Sequence, residues 1–166
     1  MDVFAHALYG GALGKALQKT GIRNKPSVKW SLFWGAFPDI VPFLAGVFFA
    51  LTTDFFTETM LASLFTGFGA LYPFTHSLVI FVIVFLFVRL VARRWMLSML
   101  AWPLHILMDI PLHTPDTFPT PFLFPLSDWT LPFGISWATP SIWISVWVVL
   151  ALIWGYFYLS EKKKNT

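Results

Sequence analysis

Every lysine and arginine of this 166-residue chain falls in one of three short segments, 15–29, 89–94 or 162–164. The stretches between them, 30–88 and 95–161, contain none. Those intervals are filled with Phe, Leu, Val, Ile, Trp and Ala, and about 20 such residues in a row let a helix cross a bilayer. Composition points the same way. The chain is 57% hydrophobic and 11% charged, where a soluble domain carries about 25% charged residues. The expected fold is therefore all-α, a polytopic transmembrane helical bundle in a single domain, 1–166, with no internal repeat and no flexible linker. The net charge of +3 sits in the short basic segments, so no broad basic face is available for nucleic acid. The absence of cysteine excludes disulfides, thiolate metal sites and a cysteine nucleophile. The opening MDVFAHALYGGALGKAL has no basic region before its apolar run and does not read as a cleavable signal peptide.

The pattern predicts about four to five spanning helices plus one interfacial or re-entrant helix. Residues 3–17 read as a helix rich in Ala and Gly, whose small side chains allow close helix approach in a bilayer. Residues 30–51 form an apolar segment that Pro38 and Pro42 are expected to break. Residues 55–72 are apolar but carry Glu58, Thr59, Ser63 and Thr66. Spans are expected at 75–91, 95–112 and 141–159, with a proline-rich loop over 113–140. The positive-inside rule places all three basic clusters in the cytoplasm, and with them the C-terminus. The parity then closes only if 55–72 stays on the outer side without crossing.

Polar residues within such segments carry the functional signal. An aspartate at the centre of a spanning helix costs about 2.5–3.5 kcal/mol on insertion scales, and it persists where it is paired, solvated or bound to a metal. His105 and Asp109 are one turn apart and share a helix face. His113 lies one turn further on, past Pro111, at the expected cavity mouth. His76 follows Pro73 and Thr75 at the start of its helix. Asp39 is ten residues beyond Lys29, about 15 Å along a helix. His6 is near the outer start of the first helix. A cavity open to the outer leaflet can collect these groups. Imidazole and carboxylate without thiolate suit zinc first, with manganese or iron as alternatives. Each residue also has a plainer reading: a lone histidine as a packing residue, Asp2 as a helix cap, Asp39 as a cap for a half-helix, Asp109 as a partner of His105, and Asp116 and Asp128 as solvated loop residues.

HALYGG near the start, PDI at 38–40, THS at 75–77 and HILMD at 105–109 together resemble the YdjM-like family of inner-membrane metal-dependent hydrolases. The resemblance covers roughly residues 1–130. It implies that His6, Asp39, His76, His105 and Asp109 are metal ligands. Val41 stands where the second aspartate of the family's PDxD pattern would be, and Tyr72 and Pro73 where a His-Arg pair often precedes THS. The order of the motifs is also similar to that of the zinc-dependent phospholipase C enzymes, although a downstream HxxxE motif is missing.

The expected function is an integral-membrane, metal-dependent hydrolase of a phosphoester or lipid-linked substrate in the cell's inner membrane. Its site would open to the outer leaflet, membrane lipid would be its partner, and Asp39 would be a ligand or the general base. The alternatives are a non-catalytic metal-binding or transport protein, a haem protein ligated by His76 and His105, and a scaffold retaining a polar cluster. A transport pathway would have to continue through inner segments such as VIVFLFV at 82–88, which hold no ionisable residue.

Overall fold

The computed structural model describes residues 1–53, 59–116 and 118–163. Glu58, Lys164 and the first residues of the segment expected at 55–72 lie outside them. Six α-helices follow in order: α1 (Val3–Gln18), α2 (Val28–Thr53), α3 (Met60–Thr75), α4 (Leu78–Ala92), α5 (Ala101–Leu112) and α6 (Pro140–Lys162). A single 3-10 turn, Leu97–Leu100, leads into α5. No strand occurs among the described residues.

Two helices, α2 and α6, are individually long and apolar enough to cross a membrane, and α3 with α4 makes a third such span if the bent pair is taken as one. The segments expected to span at 75–91 and 95–112 are thus shorter than the sequence suggested. Helix α4 has 15 residues, about 22 Å of rise, and α5 has 12. The count of four to five full spans is not reached by length and composition alone.

Glycine decides how α1, α2 and α3 approach one another. A Cβ on Gly35 of α2 would stand 2.5 Å from the His6 carbonyl oxygen of α1, and one on Gly10 would stand 2.5 Å from the Ser31 carbonyl oxygen. Further along, a Cβ on Gly67 of α3 would meet the Cα of Gly46 at 2.8 Å. These backbones touch because no side chain intervenes, the close packing expected of small residues in a bilayer. The pairs also set directions: α1 and α3 both run antiparallel to α2.

Helix α2 runs unbroken through Pro38 and Pro42, which corrects the expected break. Both prolines are buried between neighbouring helices, and packing holds the helix together where propensity would end it. Helix α3 has the form of one arm of a broken span or of a re-entrant loop. It lies along the far half of α2, and α4 continues from it with a 64° change of direction.

The bend is written in THS. Thr75 ends α3, with its Oγ1 3.2 Å from the Tyr72 carbonyl oxygen. His76 takes a non-helical conformation, and Ser77 caps α4 by accepting from the Ile80 amide at 3.1 Å. The Ser77 hydroxyl also donates to the Phe124 carbonyl oxygen. From the other side, Trp102 Nε1 donates to the Thr75 carbonyl oxygen at 2.6 Å. Trp102 belongs to the aromatic core formed with Phe81, Met99 and Ile106, against which Trp34 and Phe37 pack. Ser77→Ala removes a cap worth about 1 kcal/mol and strips the Phe124 carbonyl of its donor. A lowered midpoint in SDS unfolding is the expected result; an unchanged midpoint would show that the bend is held by packing alone.

The three basic clusters meet at one end of the bundle. Lys15 Nζ lies 3.0 Å from Glu161 Oε1, and Lys19 Nζ donates to Ser160 at 2.6 Å. The Ser27 amide donates to Ser98 Oγ at 3.0 Å, and Arg94 and Lys25 border one surface hollow. The bent pair α3–α4 therefore returns the chain from the far end of α2 to the basic end. At the opposite end, the proline-rich loop folds back on α5 through Ile135 N to Pro111 O and Trp137 N to Leu112 O, both 3.0 Å.

Candidate metal centre

Three segments deliver four polar groups. Asp39 comes from the middle of α2, His76 from the α3–α4 bend, and His105 and Asp109 from successive turns of α5. His76, His105 and Asp109 are fully buried, while the Asp39 side chain keeps 24% of its surface exposed. One donor atom from each of the four lies within 4.8 Å of every other.

The separations are informative. His76 Nε2 and His105 Nε2 are 3.2 Å apart. Asp39 Oδ1 lies 3.5 Å from each of those nitrogens. Asp109 Oδ2 lies 3.1 Å from His105 Nε2 and 3.5 Å from His76 Nε2. Four donors at zinc-like bond lengths of about 2.0–2.1 Å in a tetrahedron stand about 3.3 Å apart. Five of the six separations bracket that value, and the sixth, between Asp39 and Asp109, is within 4.8 Å.

The tautomers sharpen the case. His105 Nδ1 is 2.7 Å from the Gly35 carbonyl oxygen, so Nδ1 carries a proton and donates. His76 Nδ1 faces the Tyr72 carbonyl oxygen at 3.2 Å and Thr75 Oγ1 at 3.0 Å. The Thr75 hydroxyl is within reach of the Tyr72 carbonyl as donor, so His76 Nδ1 donates as well. With one proton on each Nδ1, both Nε2 atoms present lone pairs to each other and to two carboxylate oxygens. Asp109 Oδ2 is buried without an aligned hydrogen-bond partner. Buried acceptors facing acceptors require a proton or a cation between them. Carbonyls holding the far nitrogen of each imidazole are also what orients histidine ligands at metal sites.

His6 is brought to the cluster but not into the group of four. Its Nε2 meets the other oxygen of Asp109, Oδ1, at 2.9 Å, and its ring stacks on His105 with centroids 3.5 Å apart. The Met1 nitrogen reaches the same oxygen at 2.6 Å. Asp109 thus divides its carboxylate, with Oδ1 held by α1 and Oδ2 turned to the imidazoles. In this geometry His6 Nε2 is directed at Asp109 Oδ1 and lies outside the group of four. Asp2 caps α1 through the Ala5 amide at 2.9 Å, its plainer reading. Asp116 and Asp128 are exposed. His113 lies just past α5, with Nε2 3.9 Å from Asp109 Oδ1 and Nδ1 3.2 Å from the Tyr72 hydroxyl.

Two contributors were not singled out from the sequence. Tyr72 stacks on His76 with centroids 3.9 Å apart, and Gly35 supplies the carbonyl for His105. Each lies one turn before a site residue, Tyr72 before His76 and Gly35 before Asp39, and that spacing was the available signal. A cavity of about 420 Å³ adjoins the cluster, with Asp39, Tyr72 and His113 in its wall. Comparison of the chain with protein-family models, curated proteins and solved structures gives no match.

Proposed function

We propose that this chain is an integral-membrane, metal-dependent hydrolase of a lipid-linked substrate, related to the YdjM-like family. The observation that carries the proposal is the gathering of two imidazole nitrogens and two carboxylate oxygens within 4.8 Å of one another, five of the six separations being 3.1–3.5 Å. His76, His105 and Asp109 would hold a divalent ion, zinc before manganese or iron, as a two-histidine, one-carboxylate set known from hydrolytic zinc centres. Such an ion supplies Lewis acidity and water activated near neutral pH. Asp39 alone of the four reaches the cavity, so its Oδ1 is placed to complete the ligand set or to accept a proton from that water. Gly35 and Tyr72 fix the imidazole tautomers, and His6 fixes the Asp109 carboxylate. The phosphoester form of the proposal draws on the resemblance; no lysine or arginine lines the cavity among the described residues.

The second reading is a metal-free scaffold in which an extra proton bridges the histidines. Metal analysis of the purified protein separates the two. Wild type is expected to carry about one equivalent of a divalent metal and His105→Ala essentially none. Metal-free wild type that remains so after incubation with zinc would establish the scaffold.

In the proposed topology α1 and α5 are short crossings packed within the bundle, which with α2, the α3–α4 pair and α6 makes five. The basic end faces the cytoplasm of the cell's inner membrane, and the cavity and the 113–140 loop face outward. The chain has no cysteine, so Ser127→Cys introduces a single reporter. Labelling by an impermeant maleimide in intact cells, with any outer membrane permeabilised, is expected. Labelling only after lysis would reverse the orientation.

A further inference from the structure

The cavity beside the cluster differs from the cluster in character. Beyond Asp39 its wall is mostly apolar, with Ile40 and Phe43 from α2, Phe68 from α3, and Phe118 and Trp137 from the loop. At about 420 Å³ it falls in the range of small-molecule sites, which are mainly apolar with a few convergent polar groups. Ile40, Phe43 and Phe118 are 37%, 53% and 44% exposed, so part of the rim belongs to the surface that α2 turns to lipid. The polar groups, Asp39, Tyr72 and His113, gather beside the metal centre. An apolar channel from the lipid side thus ends on a polar reaction centre.

Charge narrows the occupant. The described lysines and arginines gather at the other end of the bundle, and none lines this wall. The ionisable groups of the wall are the side chains of Asp2, Asp39, Tyr72 and His113 and the Met1 nitrogen, which is 2% exposed and already paired with Asp109 Oδ1 at 2.6 Å. Two carboxylates already balance a divalent ion and the Met1 ammonium is held by Asp109, so a phosphate head would bring charge with no free cationic partner in a site of low dielectric. Lipid tails are as apolar as Leu or Phe side chains, so moving a tail from the bilayer into this cavity gains little by itself. Selection therefore rests on the head.

We infer that the cavity admits, from the side of the bilayer, an amphiphile with an uncharged polar head. The tail lies along Ile40, Phe43, Phe68 and Phe118, and an ester or amide carbonyl or hydroxyl of the head reaches Asp39, Tyr72 and His113. This rests on the hydrolase proposal and names the substrate class of that same site.

The test uses the full chain in lipid nanodiscs and two photoactivatable probes with the same diazirine-bearing acyl chain, a monoacylglycerol and a lysophosphatidic acid. The monoacylglycerol probe is expected to label Ile40, Phe43, Phe68 or Phe118, and unlabelled monoacylglycerol should compete. The phosphate-headed probe is expected to label the same positions at least tenfold less. Val3→Trp from α1 and Phe68→Trp from α3, both in the cavity wall, should each lower labelling at least fivefold while keeping the metal content of wild type. Equal labelling by both probes, stronger labelling by the phosphate head, or uncompeted labelling confined to lipid-facing positions such as Phe87 and Leu152 would overturn the inference. Labelling is read with and without zinc. A protein that binds no metal yet shows selective, competed labelling would end the hydrolase proposal and leave the cavity's occupant standing.

Discussion

Asp109→Asn is expected to lower metal affinity more than about 100-fold, beyond the 10–100-fold typical of changes to residues that merely orient ligands, and to abolish turnover. The substitution changes charge and donor character with almost no change in shape. The remaining carbonyl oxygen can still accept from His6, as Oδ1 does at 2.9 Å. The new amide group would then point at His76 Nε2 and His105 Nε2, where Oδ2 stands at 3.5 and 3.1 Å. An N–H donor satisfies those lone pairs and removes the need for a cation, so the variant should fold normally and be metal-free. His113→Gln is the comparison. His113 stands 3.9 Å from Asp109 Oδ1, on the side away from the four-atom cluster, and most metal and some activity should remain. Metal content by mass spectrometry and hydrolysis of p-nitrophenyl acyl ester and phosphodiester probes give the readouts. Equal losses in both variants would extend the ligand set to His113. A full equivalent of metal in Asp109→Asn would refute the metal centre.

Gly35→Val should have the largest effect on stability. A Cβ there lies 2.5 Å from the His6 carbonyl oxygen and 3.2 Å from the Gly10 Cα. These are backbone atoms on a packed helix, so no rotamer change relieves the clash and α1 must move away from α2. Overpacking of a core costs about 1–3 kcal/mol and occasionally more; against rigid backbone the upper end applies. The Gly35 carbonyl also holds His105 Nδ1 at 2.7 Å, so metal should fall together with stability. Gly69→Ala provides the control. No atom stands within 4 Å of its added Cβ, and helix propensity favours alanine there by up to about 1 kcal/mol. Equal unfolding midpoints for the two variants would show that the α1–α2 contact is loose and that glycine is incidental to it.

Much of this molecule was legible in local patterns, because helix geometry acts over three or four residues. The four-residue spacing of His105 and Asp109 put both on one face before any fold was known. The small residues of 3–17 announced a helix made for close approach, and Gly10 and Gly14 do meet α2. Asp2 was legible as a cap. The basic clusters implied a common end, which the Lys15–Glu161 and Ser27–Ser98 contacts now join. Other features depended on contacts between distant segments, which no local spacing encodes. Pro38 and Pro42 argue for a broken helix by propensity, and only the neighbours that bury them keep α2 continuous. The placement of His76 depends on a 64° bend held from outside by Trp102 and the loop at Phe124. Whether His6 meets the imidazoles or the far oxygen of Asp109 is set by the depth to which α1 sinks against α2 at Gly10 and Gly35. The residue types at the site were a property of the sequence, but which atom of each faces the others was decided by helix packing, because the two oxygens of Asp109 differ only in the neighbours that packing sets against them, His6 at Oδ1 and His105 at Oδ2.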